Sequence, residues 1–391
     1  MARWLLAGLM AVVGLALGTW AMNATIVPYV AFTDTLPVHN GCSAFYQRVS
    51  PYDDSVTRAT QDLIQARASG YDRTRDEHRF AYPLHLCVLL APLWALPYDT
   101  AAPLWMFVNF LGFAGVGIAY ARGVLGWRAR PLTLALLTFG TLAGWRYSLI
   151  VVVLAQYVGL TLFAFVGALW AWRSRREGVL AVCLLLMTLR AESALLAGVL
   201  VVGALLSRRW RVLAMWGALM FAMWLVPTLW LGQEWVGVFL RRVGEYGAYN
   251  TFSATWTPLK VGEVGVILFA VFSVLAGVLV WRAWRDGAWL TWGMAGVALW
   301  QLMALPQTNR YTLVYALPAL ILTAYGLRSR GRVAWAVFAL GALLVWAYGF
   351  VPSALPNDQV ILPFLLMPAL VWGYTDTTAQ LRAGSKGAIP L

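Results

Sequence analysis

Long apolar runs separated by short basic clusters make up most of the chain, and one polar interval near the start interrupts that rhythm. The first apolar run extends from Trp4 to Met22, and the polar interval follows from Asp34 to Tyr82. Apolar runs then recur at Ala101–Ala121 and at about 131–144, 148–172, 178–189, 193–207, 212–232, 263–281, 287–305, 312–327, 333–350 and 359–373. Runs of this kind with few internal charges predict membrane-crossing helices. Together they predict an all-α polytopic membrane protein with about twelve transmembrane helices. The two runs between Arg176 and Arg208 are short and are expected to form a helical hairpin.

The stretch Pro83–Pro97 is apolar too, but fifteen residues of helix reach only about 22 Å, against a hydrocarbon core of ~30 Å. Prolines also interrupt it. It is read as re-entrant or juxtamembrane, with Ala101–Ala121 crossing in its place. Inside the polar interval, Asp53 and Asp54 suit the positive start of a helix dipole. Val56, Ala59, Leu63 and Ala66 then fall at helical spacing, and Gly70 is a stop signal. This predicts a short amphipathic helix on the membrane surface.

Composition sharpens the picture. The chain is 61% hydrophobic and 12% charged, where a soluble domain carries about 25% charge. Its 22 tryptophans and 16 tyrosines suit aromatic belts at both membrane interfaces. Outside Asp34–Tyr82 no polar stretch is long enough for a soluble domain, and neither GxxxxGK[ST] nor GxGxxG occurs. A single transmembrane domain over 1–391 is expected, with a first external loop at 24–100 and a cytoplasmic tail at 374–391. The run Trp4–Met22 exceeds the usual signal-peptide core of about 7–15 residues, so it is read as a retained helix; cleavage after Thr19-Trp20-Ala21 is the alternative.

The net charge of +13 could suggest nucleic acid, but its distribution points to topology. The clusters at 122–130, 173–176, 208–211, 282–285 and 328–332, with Arg3, Arg382 and Lys386, place seventeen basic groups on one side against Glu177, Asp286 and Asp376. The other side is then close to neutral. That asymmetry is the positive-inside pattern, with both termini cytoplasmic, and no nucleic-acid partner is expected.

Seven of the sixteen carboxylates and two of the three histidines lie between Asp34 and Tyr82, which marks that interval as the candidate active-site loop. Charged and amide groups at membrane depth are costly and often functional. Asp34 is the candidate catalytic residue. Candidate substrate-binding residues are His39, Tyr82, Gln156, Arg190, Glu192, Asn309 and Arg310. Arg190 is suited to a lipid-linked phosphate, with a plain solvated turn as the alternative for the Arg190–Glu192 tip. No metal is expected, because His39, His78 and His85 lack ligand spacing. Of Cys42, Cys87 and Cys183, the first two could pair, but free thiols are the favoured reading.

An ordered series of short motifs carries a family resemblance. Asp34 follows the first helix, Pro51-Tyr52-Asp53 follows it, and Phe80-Ala81-Tyr82-Pro83 opens the Pro-rich stretch with Ala91-Pro92-Leu93-Trp94-Ala95-Leu96-Pro97. Ala155-Gln156-Tyr157, the charged tip at Arg190 and Ser207–Leu213 extend the series. In these the chain resembles the GT-C superfamily of polyprenyl-phosphate-sugar-dependent glycosyltransferases, specifically glycosyltransferase family 87, the alpha-mannosyltransferase-like group. The resemblance implies transfer of a mannose-like hexose from a polyprenyl-phosphate sugar to a glycan or glycolipid acceptor on the external face. It implies Asp34 as base, Arg190 near the donor phosphate, membrane lipids as surroundings and no cofactor beyond the lipid-linked donor. A bacterial plasma membrane is the expected location. Ala191 replaces the family's usual proline, Leu84 replaces the second proline of its Tyr-Pro-Pro, and no histidine occurs in Gln307–Tyr311, where members often have one. His39 or Arg310 would have to serve instead. One evident carboxylate favours inversion. A transporter or flippase of lipid-linked glycans and a membrane polysaccharide polymerase are the rival classes.

Overall fold

The computed structural model describes residues 2–30, 33–68, 71–72, 78–232, 234–249, 257–305, 310–350 and 358–382. Every regular element among them is helical. The chain begins with α1 (Ala2–Thr25), α2 (Leu36–Tyr46), α3 (Asp54–Arg67), α4 (His85–Leu89), α5 (Ala91–Trp94) and α6 (Tyr98–Ile118). It continues with α7 (Pro131–Phe139), α8 (Arg146–Val153), α9 (Val158–Arg173), α10 (Glu177–Met187), α11 (Ala191–Leu206) and α12 (Trp210–Leu231). The last six are α13 (Val236–Tyr249), α14 (Thr257–Arg285), α15 (Met294–Ala304), α16 (Leu317–Gly326), α17 (Arg332–Phe350) and α18 (Asp358–Arg382).

Four helical segments are long and apolar enough to cross a membrane: Gly8–Thr25, Tyr98–Val124, Trp210–Leu231 and Gly265–Arg285. The pair Pro131–Gly144 and Arg146–Val153, bent by 60°, makes a fifth if counted as one span. Exposed Leu9, Met10, Trp20, Phe221, Leu229, Ile267 and Val274 on these helices have no aqueous rationale in such numbers. The protein is membrane-embedded. Five further apolar helices, among them Val158–Arg173 and the expected hairpin pair Glu177–Met187 and Ala191–Leu206, are shorter. The segment Pro83–Pro97 is split at Leu90 into α4 and α5, and helices of five and four residues cannot cross a bilayer.

The chain divides into two compact units. The first comprises Met1–Gly112, Ile150–Gly159 and Gly217–Thr251. Its compact part is built on the loop helices. The Asn40 side-chain amide donates to Thr60 Oγ1 at 2.6 Å and joins α2 to α3. Glu245 on α13 accepts from Arg79 at 3.3 Å and from Arg242 at 2.8 Å, and Arg242 reaches Asp54 on α3 at 3.0 Å. The Trp230 indole N–H donates to the Phe45 carbonyl at 2.8 Å. Buried His85 lies beside Trp235, and burial holds its imidazole pKa down to about 4.

The second unit comprises Phe113–Leu149, Leu160–Trp216 and Phe252–Leu391. Here α16 and α18 meet almost backbone to backbone: a Cβ on Gly326 would fall 2.8 Å from the Gly373 carbonyl oxygen and 2.7 Å from the Trp292 ring. Small residues at such a crossing let apolar helices associate where water exclusion gives little help. The expected tail from 374 onward is in part α18, which stays helical to Arg382, with Tyr374 and Thr377 buried.

Two expectations are corrected. The run 148–172 is two helices, α8 and α9, separated at Leu154–Tyr157. The face of α3 turned to the protein is Val56, Thr60, Gln61 and Ile64, with Asn40 of α2 the polar partner of Thr60, while Leu63 is 43% exposed. Cys42 and Cys87 are not free thiols. They form a disulfide between α2 and α4 across a sequence separation of 45 residues, and the Tyr46 hydroxyl adds a hydrogen bond to the Cys87 carbonyl at 2.8 Å. In the chain-entropy picture a loop of this length contributes about 4 kcal/mol. Denatured protein without reductant should therefore show one maleimide-reactive thiol, Cys183, and all three cysteines only after reduction. Three reactive thiols before reduction would contradict the bridge.

Candidate functional site around Asp34 and Gln156

Asp34 lies in a turn that leads from α1 into α2. The Leu36 amide bonds the Thr33 carbonyl at 2.9 Å and closes the turn. Tyr98, at the first residue of α6, holds it from the other side. Its phenolic oxygen accepts from the Thr33 amide at 2.9 Å and lies 2.8 Å from Thr33 Oγ1, and the Thr33 hydroxyl also reaches that of Thr35. Tyr98 is itself covered by the Arg67 guanidinium, 4.9 Å from the ring centre, and Arg67 pairs with Asp99 at 3.1 Å. A cavity of about 20 Å³ adjoins Thr33, Arg67, Tyr98 and Asp99, room for a water molecule.

Gln156 reaches Asp34 because the helix stops before it. Ala155 has φ +51°, a left-handed conformation that costs a residue with a Cβ about 1–2 kcal/mol. The Gln156 amide closes back on the Val151 carbonyl at 2.9 Å. Its own carbonyl accepts from the Asn109 side chain on α6 at 3.1 Å. With its backbone so occupied, the side-chain Nε2–H of Gln156 donates to Asp34 Oδ2. Asn109 is wholly buried, and it fits only because residue 159 is glycine: a Cβ there would fall 2.2 Å from Asn109 Oδ1. Next along the chain, buried Tyr157 packs against Tyr82 at 5.1 Å, Trp94 at 6.1 Å and Trp105 at 6.4 Å.

Asp34, Gln156 and Tyr82 thus belong to one unit and one connected set of contacts. Tyr82 serves as a wall, its carbonyl taken by the Tyr52 hydroxyl at 2.7 Å. His39 stands on α2 nearby, but its Nε2–H donates to the Leu96 carbonyl at 2.8 Å, and its ring lies edge-on to Trp94 and Tyr98. That nitrogen ties α2 to the start of α6. Asn109, Thr33 and Tyr98 were missed by sequence reading. Asn109 carried the same signal as Gln156, an amide in an apolar run.

Arg190 and Glu192 belong to the other unit. Arg190 is the extended residue that caps α11, with φ −140° and ψ 146°. Its guanidinium is bidentate to Glu192, at 3.1 and 3.3 Å, and stands 5.2 Å from the Tyr311 ring centre. The two side chains are 8% and 3% exposed, so the solvated-turn alternative is excluded. Glu192 is first of all the counter-ion of Arg190. Beside the pair, Ser193 Oγ donates to the Met187 carbonyl at 2.6 Å, and the Tyr315 and Thr161 hydroxyls are 2.5 Å apart. Arg310 opens a 3₁₀ turn, Arg310–Ala316, and Asn309 lies outside the described residues. No cluster of three or more potential metal ligands occurs among the described residues.

No family model, curated protein or solved structure matches the chain.

Removing one member of a buried ion pair strands the other charge. Arg190→Ala should therefore destabilise the protein by about 3–5 kcal/mol, while Arg190→Met with Glu192→Leu should recover most of the loss. Thermal unfolding in detergent reads the difference. Equal midpoints for the single and double variants would refute a buried, mutually dependent pair.

Proposed function

We propose that the chain is a membrane glycosyltransferase of the GT-C type, its apolar helices making up a bundle of about twelve spans. In this reading it moves a mannose-like hexose from a polyprenyl-phosphate carrier to an acceptor hydroxyl on the external face. The observation that carries the reading is Asp34, a carboxylate just beyond the first long apolar helix, turned and held by Gln156 and by the Thr33–Tyr98 hydrogen bonds. The disulfide supports the external assignment of the loop, because such bridges persist in oxidising compartments.

The chemistry balances with one carboxylate. The acceptor oxygen forms the new bond to the anomeric carbon while Asp34 takes the hydroxyl proton. The bond from that carbon to the carrier phosphate breaks, and the phosphate leaves with the electron pair, so the configuration inverts. Gln156 contributes by fixing which carboxylate oxygen it occupies and how the other is turned. The phosphate role expected of Arg190 is a separate element of the reading, and it requires the guanidinium to be shared between Glu192 and the phosphate.

A second reading has one specific observation in its favour. The break between α8 and α9, with a polar side chain at the gap, is a feature of transporters that carry a substrate through discontinuous helices. The two readings separate in detergent, where a transferase works and a transporter has no second compartment to fill. Purified protein given polyprenyl-phosphate hexoses and membrane-extract acceptors should form glycosylated product, and Asp34→Asn should lower turnover by about 10²–10⁴-fold with membrane insertion intact. Near-normal turnover by Asp34→Asn would remove Asp34 as base. No product in detergent, together with glycolipid movement across vesicles, would favour the transporter.

A further inference from the structure

Helix α14 presents an exposed apolar face: Val274, Val278, Trp281 and Trp284 are all exposed along it. Between it and α15 runs a groove of about 520 Å³, lined by Ser273, Gly277, Val280, Trp281, Trp284 and Trp300. Ser273 and Trp300 satisfy each other, because the Trp300 indole N–H donates to Ser273 Oγ at 3.0 Å. Gly277 opens the groove, since a Cβ there would meet nothing within 4 Å.

Length and charge identify the occupant. The eleven-residue rise from Ser273 to Trp284 is about 16 Å of helix, close to half of a ~30 Å hydrocarbon core. The groove thus matches one leaflet, not the whole bilayer. Its end coincides with the last turn of α14, where the basic residues are Arg282 and Arg285. The Arg285 guanidinium sits 5.1 Å from the centre of the Trp281 ring, a wall of the groove. Neither arginine makes an ion pair among the described residues. The neighbouring Asp286 carboxylate is taken by the Tyr374 hydroxyl of α18. We propose that this groove binds an anionic phospholipid, with an acyl chain along the tryptophans and the headgroup at Arg285. The site does not depend on the glycosyltransferase reading.

Native mass spectrometry of the full chain tests it, with phosphatidylglycerol and phosphatidylcholine of identical acyl chains as probes. The wild type should retain about fivefold more phosphatidylglycerol, the effect of roughly one basic group near a headgroup. Arg285→Gln should bring that ratio towards one, and Gly277→Phe, which fills the groove, should remove the retained lipid. Equal retention of the two lipids by the wild type, or unchanged retention by Gly277→Phe, would overturn the proposal. So would a wild-type dimer that Gly277→Phe splits, because a second copy would then occupy the groove. If Gly277→Phe does not accumulate, Trp281→Ala combined with Arg285→Gln takes its place, with the same loss expected and unchanged retention again contradicting the site.

Discussion

A broken helix in an apolar setting must find partners for the backbone groups it frees, and that requirement organises the first unit. Each polar group left unsatisfied away from water costs several kcal/mol. At Ala155–Gln156 the freed groups find partners: the Gln156 amide returns to Val151, and its carbonyl is taken by Asn109 of α6. Gly159 then has to be glycine to admit Asn109. With these partners in place, the Gln156 side chain is directed at Asp34. The break is therefore a device for presenting one amide to one carboxylate.

The other half of the pair is held as firmly. Asp34 stands in a short turn, where it would be mobile on its own. Tyr98 binds the preceding threonine through backbone and side chain, His39 fixes α2 to Leu96, and the Cys42–Cys87 bridge joins α2 to α4. Hydrogen bonds at Thr33 and His39 and a disulfide thus hold both the turn at Asp34 and the helix that follows it. The base of the proposed transfer would need such support, since a misplacement of about 1 Å can cost 10²-fold in rate.

Much of the fold was legible because long apolar runs between arginine clusters leave few alternatives. The hairpin of α10 and α11 follows from two short runs between arginine clusters, and the non-crossing Pro83–Pro97 from its length and its prolines. The α8–α9 break was not legible, because Ala155-Gln156-Tyr157 contains no glycine or proline to announce a left-handed residue. Gln156 was noticed for its cost in hydrocarbon, but what met that cost was a matter of three dimensions. The protein-facing side of α3 buries Thr60 and Gln61 beside Val56 and Ile64, and apolar spacing cannot anticipate a polar partner such as Asn40. The Arg190–Glu192 pair was hidden for a similar reason. Residues two apart do not face each other on a helix, yet Arg190 is extended and only Glu192 is helical, so their side chains meet.

In the proposed transferase, the role of Gln156 as the residue that orients Asp34 is tested most directly by the steady-state kinetics of Gln156→Ala. Loss of orientation alone should lower kcat by about 10–100-fold, leave KM for the lipid-linked donor within about twofold, and leave the thermal midpoint near that of the wild type. An unchanged kcat would contradict the account, and so would a fall in kcat that merely tracks a loss of folded protein.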